Sequence, residues 1–245
     1  MPQQLGLLSP PLMQHALQTL AYAVIHLIYP AICLTCARSL SKHERLLCIP
    51  CTLSLPFTNF HLLASNPLDK KFWGRATIQS TYSLLFMEKL SKSERLIYGL
   101  KYQNREDVGE LLAEETAKKY RNIWKESGVN AILCIPLHEK RLKQRGYNQC
   151  HQFCISLSQS LGIPFYPKAL SRISFQSSQT QMNRSSRWEN VCQAFRINNS
   201  SLLEGKEILL VDDVLTTGAT LEACASSIMQ SCQAKVHIFT MACKI

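Results

Sequence analysis

A chain of 245 residues and 27.8 kDa with 46% hydrophobic content can bury one substantial core and a small appended module, which excludes intrinsic disorder, collagen and amyloid-like repeats. Lys and Arg number 27 against 17 Asp and Glu, a formal charge of +10, so phosphate or nucleic acid is a plausible partner, although many soluble proteins are basic merely for solubility. The 11 cysteines are odd in number and no signal peptide is visible, which fits a reducing cytosol better than a disulfide framework.

In chain order, Leu12 to Tyr29 is the long apolar run, but it carries Gln14, His15, Gln18, Thr19 and His26. It reads as an N-terminal helix within residues 1–30, ended by Pro30 and packed on the protein, rather than a membrane span. Residues 31–56 lack hydrophobic periodicity and hold Cys33-x2-Cys36 and, eleven residues on, Cys48-x2-Cys51. Two such knuckles can present four thiolates to one tetrahedral zinc with no open catalytic position; disulfides or redox-active pairs are the alternatives. His43 lies between them, but four cysteines already complete the shell.

Pro56 to Gly74 reads as a loop-rich connector, and a sheet domain is expected over 75–245. Its elements are a strand from Ala76 to Phe86, a helix from Ser91 to Lys101 opened by Ser91 and Glu94 at capping-box spacing, and a second helix carrying Val108, Leu111, Leu112, Tyr120 and Trp124. A buried strand follows from Ala131 to Ile135, then a helix with Cys150, Phe153, Cys154, Leu157 and Leu161 on one stripe, ending at Gly162. Ser171 to Asn190 is a polar insert, of a kind that is usually functional or mobile. Ile208 to Val211, Gly218 to Met229 and Val236 to Met241 read as strand, helix and strand. Such alternation predicts an α/β fold with a mostly parallel sheet covered on both faces. The cysteines at 134, 150, 154, 192, 224, 232 and 243 read as core residues without chemistry.

Two stretches carry chemistry. Ile208 to Thr220 is a buried strand running into Asp212 and Asp213 and then a hydroxyl-rich turn, Thr216-Thr217-Gly218-Ala219-Thr220. Carboxylates at the carboxyl end of a parallel strand can accept hydrogen bonds from a sugar diol, and the turn with its following helix can aim N–H groups at a phosphate. Pro136 to Gln149 places Lys140, Arg141, Lys143 and Arg145 within six residues directly after a strand. A loop this basic suits a pyrophosphate, with Arg141 and Arg145 able to bind it bidentately, and a solvated helix start is the competing reading.

The first stretch resembles the 5-phosphoribosyl-1-pyrophosphate (PRPP) signature of type I phosphoribosyltransferases. Together with the basic block from His138 to Gln149, with Leu100-Lys101-Tyr102, and with Arg172, Gln179, Arg187, Asn190, Ala194 and Phe195, it resembles the ComF family, competence-associated relatives that include the GntX-type proteins. Tyr147 stands where phenylalanine is common, and the insert is Ser-rich. The resemblance implies a Rossmann-like type I phosphoribosyltransferase fold behind a zinc finger. It implies that Asp212 and Asp213 hold the ribose hydroxyls and favour the cationic sugar of a transfer, and that Thr216 through Thr220 bind the 5-phosphate. His138, Lys140, Arg141 and Arg145 would serve the pyrophosphate with its Mg2+, and Arg172, Gln179 and Arg187 a closing loop. The process implied is the handling of incoming single-stranded DNA during natural transformation, in the cytoplasm, with a helicase-like competence protein as a further partner. An active phosphoribosyltransferase of nucleotide salvage, with an acceptor the chain does not name, and a PRPP sensor without turnover are the alternatives.

Overall fold

The computed structural model describes residues 30–63, 65–172 and 195–244, apart from the side chains of Glu139 and Lys140. The helix expected ahead of Pro30 and most of the polar insert, with Gln179 and Arg187, lie outside these residues. The chain divides into two compact units between Ser54 and Leu55.

The first unit is built from tight turns. The Ala37 N–H donates to the Cys33 carbonyl at 2.9 Å and the Cys33 N–H to the Arg38 carbonyl at 2.7 Å, folding the first cysteine pair into a loop closed by the Ile32–Ser39 bridge. Helix α1 (Ile49–Leu53) follows, with Pro50 in its first turn, where a missing N–H costs no helical hydrogen bond. The Glu44 carboxylate accepts from the N–H groups of Ser41 and Ile49 and so ties the loop between the cysteine pairs to this helix.

The second unit is a four-stranded sheet. Its strands are β1 (Ser80–Phe86), β2 (Ala131–Cys134), β5 (Glu207–Leu215) and β6 (Lys235–Cys243), in the order β1-β6-β5-β2 and all parallel. The continuous apolar runs of β2 and of β5 from Ile208 to Val211, and the burial of β6 from Val236 to Cys243, are those of strands covered on both faces. On one face lies α6 (Ala219–Cys232), whose Leu221, Cys224, Ala225 and Ile228 share a core with Ile208, Leu210, Val236 and Ile238. On the other lie α2 (Lys92–Tyr102), α3 (Glu106–Glu126) and α5 (Gln149–Leu161), where Tyr120, Trp124 and Phe153 close around Phe239 of β6 at 5.5, 5.4 and 5.7 Å. Each such aromatic pair adds about 0.5–1.5 kcal/mol beyond the area it buries.

Local signals set the boundaries. Ser91 caps α2 by accepting the Glu94 N–H at 3.2 Å, while the Glu94 carboxylate takes the Leu90 N–H instead of closing the capping box on Ser91. Asn148 caps α5, which ends on the left-handed Gly162. β3 (Leu170–Arg172) and β4 (Phe195–Ile197) pair antiparallel on either side of the insert. The stretch before β1 is more than a connector, because Phe60, Leu68 and Phe72 are buried in the α6-side core.

Candidate functional site

The ligand end of the sheet is the carboxyl end of β2, β5 and β6: β2 stops with Cys134 opposite Val211, and β5 and β6 run on together to Leu215 opposite Cys243. There β5 delivers Asp212 and Asp213, and the chain turns into α6 through Thr216 to Gly218. Gly218 has φ +81°, and a Cβ on it would sit 3.0 Å from the Phe72 ring, so any side chain at that position is strained and must push the ring aside. Lys71 Nζ donates to the Thr216 carbonyl at 2.9 Å and to the Lys244 carbonyl at 3.2 Å, fixing the peptide that opens the turn. Thr216 to Leu221 line a niche of about 40 Å³ with Asp212 at its edge, the size of a small anion beside a helix N-terminus.

Next to the niche is a cavity of about 350 Å³ that gathers both acids with Lys101, Arg141, Arg145, Arg172 and Lys244. Five cations against two carboxylates leave it strongly positive. Lys101 Nζ pairs with Asp213 Oδ1 at 2.8 Å, both side chains largely buried. Among the described residues Asp212 has no such partner; burial and then the charge of Asp213 push its carboxyl up to about 7, against the opposing pull of the Asp213 N–H at 2.8 Å. Burial, and then the nearby Arg141 charge, pulls Arg172 below the usual guanidinium range, while its guanidinium lies over the Phe195 ring at 5.5 Å.

The basic block is helical where a loop was expected. Helix α4 (Glu139–Arg145) starts on the His138 carbonyl, which accepts the N–H groups of Arg141 and Leu142. Arg141 and Arg145 are four residues apart and therefore share a face of α4, the one that lines the cavity. Several residues of the block are scaffold. Tyr147 Oη donates to the Leu100 carbonyl, Asn148 Nδ2 to the Ile135 carbonyl at 3.0 Å, and Gln149 Oε1 accepts from Arg145 at 2.9 Å. Arg145 also lies over the Tyr102 ring at 5.1 Å.

Of the residues expected at the site, the structure brings together Asp212, Asp213, Thr216, Thr220, Arg141, Arg145 and Arg172, with Thr217, Gly218 and Ala219 in the adjoining niche. His138 serves the start of α4 through its carbonyl. Lys71, Lys101 and Lys244 were not singled out as site residues: Lys101 entered only with the family resemblance, and the fold carries all three to the sheet end.

In the first unit the Sγ atoms of Cys33, Cys36, Cys48 and Cys51 all lie within 4.8 Å of one another, and Cys36 Sγ and Cys48 Sγ are 3.6 Å apart. Four thiolates about 2.3 Å from a tetrahedral zinc sit about 3.8 Å from one another, so the cluster fits the ion. The Cys48 N–H donates to Cys33 Sγ at 3.4 Å, the backbone support expected around a bound thiolate. His43 is exposed and outside the cluster.

Residues 148–244 match the phosphoribosyl transferase domain model. The chain is 26% identical over 214 residues to the DNA utilization protein YhgH of Escherichia coli O157:H7, covering 86% of this chain and 89% of that protein. It is 32% identical over 111 residues to the competence protein ComFC of Bacillus subtilis, covering 45% of this chain and 43% of that one. Among solved structures, the glutamine PRPP amidotransferase from B. subtilis overlays with a TM-score of 0.39 at 18% identity, over 59% of this chain and 30% of that much longer one. Among the described residues no helix is long and apolar enough to cross a membrane.

Proposed function

Since the chain belongs to the ComF family of phosphoribosyltransferase-like proteins, we propose that its basic cavity binds PRPP with Mg2+ and that the protein acts in natural competence, handling incoming single-stranded DNA in the cytoplasm. The observation that carries the reading is the meeting, at one strand end, of an anion niche, an acid pair and five cations. In this reading Thr216 to Thr220 and the positive end of α6 take the 5-phosphate, while Asp212 and Asp213 accept hydrogen bonds from the ribose hydroxyls. Arg141, Arg145 and Arg172 face the pyrophosphate, whose metal-bound form carries less charge to neutralise. Loss of pyrophosphate from C1 would leave a cationic ring, which the two acids favour from below. Asp213, paired with Lys101 at 2.8 Å, is the better placed of the two for that role.

The competence assignment draws on the likeness to the DNA utilization and competence proteins, and the DNA contact on the charge of +10 and the cations around the cavity. The four-cysteine module, loaded with zinc, is the surface proposed for a helicase-like protein partner. The deciding measurement is a calorimetric titration of PRPP with Mg2+ into the zinc-loaded protein and into an Asp212→Asn/Asp213→Asn variant. Saturable heat in the first and none in the second is expected; absence of heat with the unaltered protein overturns the reading.

A further inference from the structure

Helix α2 buries Ser93, Leu96, Ile97 and Leu100 and leaves Tyr98 and Tyr102 outside, 53% and 59% exposed. Four residues apart, the two tyrosines share a face of the helix, with ring centroids 4.9 Å apart and planes inclined by 41°. They form one contiguous aromatic surface rather than two scattered side chains. The row does not end at Tyr102. The Arg145 guanidinium lies over the Tyr102 ring at 5.1 Å and donates to its hydroxyl at 3.4 Å, while its other terminal nitrogen donates to Gln149 Oε1 at 2.9 Å. Tyr147 Oη, donating to the Leu100 carbonyl, ties the last turn of α2 to the chain that follows α4, so ring, ring and guanidinium are held as one set. The set stands at the rim of the basic cavity: Arg145 lines it beside Arg141, and Lys101, the residue before Tyr102, enters it to meet Asp213 at 2.8 Å. Tyr102 closes the Leu100-Lys101-Tyr102 run of the sequence, and PRPP binding leaves it without a role.

Exposed aromatic faces in a row beside fixed positive charge suit a flexible polyanion that carries flat bases: the rings take the bases and the cations take the phosphates. A duplex keeps its bases paired and stacked inside, and freeing one costs energy that a single strand does not spend. We infer that Tyr98, Tyr102 and Arg145 form a stacking platform for the bases of single-stranded DNA, which brings the strand to the rim of the basic cavity. Arg141 and Lys143, both exposed on α4, supply charge for the phosphates on either side of a stacked base. Arg145 can serve the strand and a pyrophosphate alike, since a guanidinium stacks through its plane and binds anions through its N–H edge. The inference rests on the DNA-handling reading above and gives it a point of contact.

The test measures binding of a labelled oligo-dT strand to the zinc-loaded full chain by fluorescence anisotropy over a range of salt. Tyr98→Ala and Tyr102→Ala are each expected to weaken binding about fivefold or more, the loss of one stacked base. In Tyr98→Ala the slope of log K against log salt should stay as it was, because a neutral ring releases no counterions. Tyr98→Phe keeps the ring and should bind as the unaltered protein does. A strand of the same length whose sugars lack bases should bind the unaltered protein and Tyr98→Ala equally. Tyr98 is not in the cavity lining, so the heat of PRPP binding with Mg2+ should be unchanged in Tyr98→Ala. Undiminished oligo-dT affinity in both alanine variants overturns the platform and leaves the DNA contact standing. Absence of oligo-dT binding by the unaltered protein overturns the DNA-handling reading and the platform with it. A loss that Tyr98→Phe shares with Tyr98→Ala, or an equal loss on a duplex of the same length, overturns base stacking as the cause.

Discussion

Asp212 is a carboxyl whose ionisation the fold opposes, and Asp212→Asn turns that opposition into a measurable stability difference. Folding moves the group from an ordinary 3.8 to about 7, chiefly by burial and secondly through Asp213. Between those values the folded chain holds a proton that the unfolded chain has released, so stability falls as pH rises across the window and the full penalty is present above it. A shift of this size converts to about 4 kcal/mol, and about 2 kcal/mol is the better figure because the residue is half-buried and solvent reaches the cavity. Asparagine keeps the shape and cannot ionise. In magnesium-free buffer, urea unfolding from pH 4 to pH 8.5 should therefore show Asp212→Asn equal to the unaltered protein at the acid end and more stable by about 2 kcal/mol at the alkaline end. Equal stability at every pH, or a variant less stable at pH 8, would refute the claim that Asp212 is a strained acid in the empty cavity.

Gly218→Ala places a methyl at φ +81° against the Phe72 ring and should cost about 2 kcal/mol in urea unfolding, with weakened PRPP binding; an unchanged midpoint would show that the turn relaxes freely. Zinc measured by atomic absorption should be one ion per chain, falling to less than about a tenth in Cys33→Ser, whereas full retention would mean the ion sits elsewhere. Binding of an oligo-dT strand should weaken steeply with salt, and Arg141→Ala should lower the slope of log K against log salt by about 1; a flat salt dependence would exclude a direct phosphate contact.

The sheet was legible because β2 and the first half of β5 are uninterrupted apolar runs. Ile208 to Val211 and Ala131 to Cys134 needed no tertiary information to be read as buried strands, and β5 runs on to Leu215 only because β6 pairs with it that far. The phosphate turn was legible because its chemistry is contiguous, five residues in a row that run into a helix. The basic block was read for its charges, whereas Tyr147, Asn148 and Gln149 spend their polar groups holding Leu100, Ile135 and Arg145 in place, a use that depends on contacts with segments up to 47 residues away. Lys101 was legible only as part of a family resemblance for the same reason: an ammonium acquires its role from neighbours that only the fold supplies. For Lys101 that neighbour is Asp213, more than a hundred residues downstream.

Phe72 and Lys71 precede the first sheet strand, yet they form the seat on which the Thr216–Gly218 turn rests. A truncated polypeptide beginning at Arg75 would keep every strand of the sheet and still lose that seat, leaving Gly218 above a hole and Thr216 without its clamp. Excision of the cysteine module alone should therefore cut near Leu55, and a fragment trimmed further would be a misleading witness to sugar-phosphate affinity.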